Sequence, residues 1–223
     1  MDRDFPFAIV GFDLDGTLLD THADLGAAVN HALGLAGRPA VPIEHIERFI
    51  GGGAKLMLER ALAETGGIAE DAFKPLYREL LRFYGDNIAV HTRLYPGGEA
   101  MLDGLAGRGV KLAVVTNKFE SFAVKVLDEL GLLGRFVTVI GGDTLGPGRA
   151  KPARDPLDEM VLRLGGGRAA FVGDTSYDIR AAQAAEMPSV AVSFGFNDKP
   201  ANELGADAMI DHFDELISAL ERL

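Results

Sequence analysis

Residues 7–17 read Phe-Ala-Ile-Val-Gly-Phe-Asp-Leu-Asp-Gly-Thr, and this stretch decides the fold. Residues 7–12 form a short, mostly apolar run that stops at Asp13, the pattern of a buried parallel strand whose carboxyl end opens into a polar loop. Similar runs recur much later, at residues 110–115, 136–140, 169–172 and 189–192, with 208–210 as a short sixth. Helical spacing fills the gaps, at residues 98–106, 119–130, 156–164, 178–185 and 212–223. Strands alternating with helices predict an α/β chain built on a doubly wound parallel sheet.

Residues 19–92 interrupt that alternation. They hold no convincing strand, and residues 23–35, 43–49, 55–63 and 71–84 show helical spacing, punctuated by Gly37-Arg38-Pro39 and Gly66-Gly67. The expected division is therefore an α/β core from residues 1–18 and 93–223, with 19–92 as a helical cap inserted after the first strand. An insertion there sits at the carboxyl edge of the sheet, where open α/β folds bind ligands, so it is placed to act as a lid.

The 223 residues carry 22 basic and 33 acidic side chains, a net charge of −11, which works against broad electrostatic capture of nucleic acid or an anionic membrane. An anionic substrate must then be held by local positive features. The absence of cysteine removes any disulfide framework, thiol nucleophile or cysteine metal site and suits a reducing cytoplasm. The first residues, with three charges in positions 1–4, are unlike a signal peptide or a membrane span, so a cytoplasmic protein is expected, as monomer or homodimer.

Four polar clusters follow predicted strands: Asp13-Leu14-Asp15-Gly16-Thr17, Thr116-Asn117, Lys151, and Gly173-Asp174-Thr175 with Asp178. A parallel sheet brings such positions to one edge. Asp13 and Asp15, two apart on an extended loop, offer one carboxylate as ligand or nucleophile and the other as acid or base. Gly16 permits a sharp turn. Thr116 supplies a hydroxyl and Lys151 a cation, both suited to a phosphoryl group, and Asp174 completes an oxygen-rich site of the kind Mg2+ prefers. Asp178, close to a helix start, suits either the helix dipole or the metal. Gly51-Gly52-Gly53 lacks a preceding strand, and Leu56 fills the last glycine slot of a dinucleotide fingerprint. That run reads either as a loop whose backbone, Gly52 included, closes over substrate together with Lys55, or as an ordinary helix start with a solvated lysine.

These motifs, in this order, resemble the haloacid dehalogenase superfamily over almost the whole chain. Within it, FDLDGTLLDT at 12–21, FIGGGAKLMLERAL at 49–62, LYPGGEAML at 94–102, TNK at 116–118, GGD at 141–143, KPARDP at 151–156 and FVGDTSYDIRAAQAA at 171–185 are most similar to the phosphoglycolate phosphatases. The resemblance implies a Rossmann-like core with a helical cap. It also implies Mg2+-dependent hydrolysis of a small phosphorylated metabolite, 2-phosphoglycolate above all, through an aspartyl phosphate. Asp13 would be the nucleophile and Asp15 the acid and base. Thr116 and the Asn117 amide would hold phosphoryl oxygens, and Lys151 would neutralise charge. The metal would lie on the Asp13 carboxylate, the Asp15 carbonyl and Asp174, supported by Asp178.

Two positions depart from the family's usual residues. Arg154 stands where many relatives have proline, either recruiting an acidic substrate or pairing with Asp155 on the surface, the reading we favour. Glu186 stands where relatives often end a helix with glycine, leaving Met187-Pro188 to stop it. The same superfamily includes sugar phosphomutases, against which Thr17 counts, since those relatives often carry valine there. A non-catalytic phospholigand-binding module should have lost at least one of Asp13, Asp15, Lys151 or Asp174, and all four are present.

Overall fold

Ile9–Phe12 forms β1, and its alternation sorts the core into two layers: Val10 and Phe12 enter one apolar cluster and Ile9 the other, all fully buried. The computed structural model describes residues 5–223; residues 1–4, on which the reading of the charged N-terminus rests, lie outside the described residues. After β1 come β2 (Leu19–Asp20), α1 (His22–Leu35), two 3-10 turns (Ile43–His45 and Glu47–Phe49), α2 (Ala54–Glu64) and α3 (Glu70–Asp86). The chain continues through β3 (Arg93–Leu94), α4 (Gly98–Ala106), β4 (Lys111–Val115), α5 (Glu120–Glu129), β5 (Thr138–Ile140) and α6 (Asp155–Arg163). It ends with β6 (Ala169–Gly173), α7 (Ser176–Ala184), β7 (Ser189–Val192), β8 (Ala208–Ile210) and α8 (Leu216–Leu220).

Six strands form one sheet in the order β5-β4-β1-β6-β7-β8, with every pairing parallel. This is the doubly wound α/β architecture expected. Residues of α4, α5 and α8, among them Leu102, Val126 and Leu216, join the cluster containing Val10 and Phe12. Leu157 and Met160 of α6 and Ala181 of α7 cover the opposite face with Ile9 and Phe171. Burial of each large aliphatic or aromatic side chain is worth roughly 1.5–3 kcal/mol. Gly11 has a packing reason: a side chain there would overlap Met160 and Phe171, so its absence lets α6 press onto β1.

Three local expectations change. Residues 19–92 do contain a strand: Leu19 and Asp20 pair antiparallel with Arg93 and Leu94, bringing the two ends of that stretch together. A two-residue ladder is too short to show alternation and depends on a partner more than seventy residues away. Residues 43–49 form 3-10 turns instead of one α-helix, and the buried Ile46 and Phe49 follow the three-residue period of that tighter coil. Residues 212–223 split into a 3-10 turn at Phe213–Glu215, entered through a bond from the Asp214 N–H to His212 Nδ1 at 3.3 Å, and the short α8.

The register fixes the site. Phe12 lies opposite Val114 on β4 and Val172 on β6, so the three central strands end within one residue of one another. Asp13, Thr116 and Asp174 therefore leave the sheet side by side. No helix among the described residues is long and apolar enough to cross a membrane.

Candidate active site

The loop after β1 turns tightly because the Leu14 carbonyl accepts bonds from the N–H groups of Thr17, Leu18 and Leu19, and Gly16 donates to the Leu19 carbonyl. Gly16 has φ +86°, and a side chain there would strike Asp174 and Phe196, so two separate constraints require glycine. The turn aims Thr17 Oγ1 at Asp174 Oδ1, 2.7 Å away, while the Phe196 N–H donates to Asp174 Oδ2 at 2.8 Å. Each Asp174 oxygen thus has one fixed donor and a lone pair to spare.

Asp13, Asp174 and Asp178 are all buried, and one oxygen from each lies within 4.8 Å of the others. Lys151, also buried, joins this group. Its Nζ donates to the Val115 carbonyl at 2.8 Å and to Asp178 Oδ1 at 2.5 Å, and lies 2.9 Å from Asp13 Oδ1. Burial alone would drive the proton off Lys151, but Asp13 and Asp178 outweigh it and hold the ammonium above its usual pKa. Burial raises Asp13 to about 6 against the pull of Lys151, with Asp178 adding to the rise. Asp174 is raised as well, by burial first and then by its two acidic neighbours.

Asp178 Oδ2 accepts from both the Thr175 N–H at 2.9 Å and Thr175 Oγ1 at 2.6 Å, closing a capping box at the start of α7. With Oδ1 on Lys151, both oxygens of Asp178 are engaged by the protein. Three carboxylates against one ammonium leave negative charge uncompensated, and free lone pairs on Asp174 face Asp13. That oxygen-only, electron-rich donor set fits a hard divalent cation such as Mg2+.

Asp15, two residues beyond Asp13, meets a different cation. Both its oxygens lie 2.7 Å from Lys118 Nζ, which is buried and 4.8 Å from the centre of the Tyr84 ring. An isolated lysine after Thr-Asn has no distinguishing pattern, so nothing in the sequence beyond the TNK motif marks Lys118 as part of the site. Thr17 belongs to the loop at residues 13–17 that the sequence marks, but its bond to Asp174 joins residues too far apart to read there, and Tyr84 lies in helical spacing with nothing to set it apart.

The acidic centre opens into a cavity of about 290 Å3 lined on the core side by Asp13, Asp15, Thr116, Asn117, Lys118 and Lys151. Residues 50–55, with Leu80 and Tyr84, line the other side. Gly51, Gly52 and Gly53 precede α2, so the helix start faces the cavity. Lys55 lines it too, but its side chain is 67% exposed and lies 3.6 Å from Glu59. Asn117 does more with its side chain than its backbone role required: Nδ2 donates to the Gly51 carbonyl at 3.1 Å and to the Lys151 carbonyl at 3.0 Å.

Arg154 stays on the surface, as favoured, but its partner is Asp158, at 2.6 Å, one helical turn on. Asp155 is taken by Arg149, also at 2.6 Å. Glu186 adopts φ +55°, the left-handed conformation that glycine fills without strain, and the Met187 N–H closes the helix end on the Ala182 carbonyl.

Residues 10–192 match the haloacid dehalogenase-like hydrolase family. The chain is 40% identical to the phosphoglycolate phosphatase of Agrobacterium fabrum over 219 residues, covering 96% of this chain and 92% of that one. Identity to the phosphoglycolate phosphatase of Mesorhizobium japonicum is 39%, covering 96% of each chain. Its fold superposes with a TM-score of 0.90 on the crystal structure of a predicted phosphoglycolate phosphatase from Haemophilus somnus, at 31% identity and covering 96% and 97% of the two chains. With matching sequence, superposable fold and acidic loops at the ends of β1 and β6, the chain belongs to the haloacid dehalogenase-like hydrolase family, among its phosphatases.

Proposed function

We propose that the chain hydrolyses 2-phosphoglycolate, through a phosphoryl group carried transiently on Asp13 and with Mg2+ as cofactor. The observation that carries this reading is the contrast between two carboxylates two residues apart: Asp13 is buried against Lys151, and Asp15 faces the cavity beside a different cation.

In the first half-reaction an Asp13 oxygen attacks phosphorus while the bond from phosphorus to the alcohol oxygen breaks, and Asp15 gives its proton to that departing oxygen. In the second, Asp15 takes a proton from water, the water oxygen attacks phosphorus, and the bond to Asp13 breaks, releasing phosphate and restoring the carboxylate. Thr116 and the Asn117 amide hold phosphoryl oxygens, and Lys151, fixed by three oxygens, stabilises charge developing between Asp13 and the phosphoryl group. The metal would be held by Asp13, the Asp15 carbonyl and Asp174, with Asp178 supporting from behind through Lys151 and Thr175. When bound it supplies positive charge that lets an anionic nucleophile approach an anionic ester.

Residues 19–92 serve in this reading as a cap over a core of residues 1–18 and 93–223. The loop at residues 51–53, anchored by Asn117, lies over the leaving portion of the substrate. The preference for 2-phosphoglycolate draws on the relatives that bear that name and on the lysines gathered at the cavity. A phosphate-release assay over a panel of phosphomonoesters, with Mg2+ and with chelator, tests it. The expected result is metal-dependent turnover highest on 2-phosphoglycolate; higher efficiency on a sugar phosphate would overturn the substrate, and undiminished turnover in chelator would overturn the metal.

A further inference from the structure

Three ammonium groups line the cavity, those of Lys55, Lys118 and Lys151, and they differ in what they have left to offer. Lys151 already meets the Val115 carbonyl, Asp178 and Asp13. Lys55 is largely in solvent beside Glu59, where water screens its charge. Lys118 is buried, and Asp15 takes its Nζ with two oxygens, leaving one of three donors. It stands beside the carboxylate that serves the leaving oxygen.

Next to it is a second unspent donor. Tyr84 is buried on α3 and lines the cavity, its ring lies 4.8 Å from Lys118 Nζ, and its hydroxyl, with that ammonium as its polar neighbour, has no acceptor for its proton. Burial pushes this phenol up to about 12, against the pull of Lys118, so it remains neutral and able to donate. A buried hydroxyl whose proton has no acceptor is costly and calls for one.

We infer that Lys118 and the Tyr84 hydroxyl together receive the carboxylate of the substrate's leaving portion. The inference rests on the phosphoglycolate reading above and goes beyond it by assigning the residues that select an acidic leaving group. In 2-phosphoglycolate a single methylene separates the ester oxygen from the carboxylate, so a group beside Asp15 meets that carboxylate when the ester oxygen meets Asp15. Lys118 is thus placed between two carboxylates, one of the protein and one of the substrate, and Tyr84 completes the second one's shell. Lys55, farther out and screened, is not the selecting cation. Specificity then lies in the TNK segment after β4 and in α3, which already meet at the contact between Lys118 and Tyr84.

Efficiencies on 2-phosphoglycolate and on ethyl phosphate, which keeps the phosphoryl group and the two-carbon chain but lacks the carboxylate, form the test. The wild type should prefer 2-phosphoglycolate. Lys118→Met should lose on the order of 30-fold more efficiency on 2-phosphoglycolate than on ethyl phosphate, much of it in KM, since the loss of a buried charged contact is large. Tyr84→Phe, which removes one oxygen and leaves the Asp15–Lys118 pair in place, should lower the same ratio about fivefold. Lys55→Ala should leave the ratio as it is. Equal losses on both esters in Lys118→Met, with KM for 2-phosphoglycolate unmoved, would make Lys118 only a positioning residue for Asp15 and overturn the inference; an unchanged ratio in Tyr84→Phe would overturn it even if Lys118→Met failed to fold. A wild type without preference for 2-phosphoglycolate would sink the substrate reading itself, a failure visible before any variant is made.

Discussion

The side-chain amide of Asn117, at the end of β4, donates to the carbonyl of Gly51, in the loop that opens α2. The same nitrogen also donates to the Lys151 carbonyl. One side chain thus ties the loop before α2 to the backbone that carries the Lys151 ammonium.

Asn117→Ala should therefore free the loop at residues 51–53. Each lost hydrogen bond is worth about 1 kcal/mol, so KM for the preferred phosphomonoester should rise several-fold while kcat changes less. Steady-state kinetics check this, and a loss confined to kcat with KM constant would contradict the bridging role.

Asp24, buried in the first turn of α1, accepts from the His91 and Thr92 N–H groups, each at 2.9 Å, and from Thr92 Oγ1 at 2.8 Å. It holds the start of α1 to residues 91–92, beside the β2–β3 ladder. Asp24→Ala leaves those donors buried and unmatched and should cost about 3 kcal/mol, whereas Asp24→Asn keeps an acceptor and should cost less. Urea denaturation would show it, and equal stability of wild type and Asp24→Ala would contradict the clamp.

The core strands were legible because burial on both faces writes an uninterrupted apolar run, as at Ile9–Phe12 and Ser189–Val192. Asp13 and Asp174 stood out because each follows such a run directly. The β2–β3 pairing and the Asp24 clamp were not legible, since both join residues some seventy apart through only a few bonds, and neither a short ladder nor a lone aspartate has a period. Lys118 was hidden for a related reason: its importance comes from Asp15 and Tyr84, which reach it from distant parts of the chain. The partner of Arg154 is not its sequence neighbour Asp155, because a helix brings together residues four apart, here Asp158.

Acid–base linkage gives a prediction independent of turnover. Burial raises Asp13 to about 6. An acid whose folded pKa exceeds its unfolded value holds its proton more tightly when folded, so its stabilising contribution is complete below about pH 4 and is lost as pH climbs through about 6. Asp13→Asn has no such proton to lose. In chelator its stability should gain on the wild type between pH 4 and 7, by on the order of 2 kcal/mol, and Mg2+ should narrow the gap by favouring the ionised carboxylate. Denaturation midpoints across that range check the sign; a gap that closes with rising pH in chelator would contradict the environment described for Asp13.

The covalent role of Asp13 is tested most directly by the mass of the protein after reaction. Asp15→Asn, treated with Mg2+ and 4-nitrophenyl phosphate and quenched in acid, should release nitrophenol in a burst of one equivalent, because this leaving group needs little help from an acid while hydrolysis of the intermediate is slowed by roughly 10²–10⁴-fold. Intact-mass and peptide analysis should then find a single phosphoryl group on Asp13, and none when Asp13→Asn is added to the same chain. A burst with no adduct, or an adduct on any other residue, would contradict the account.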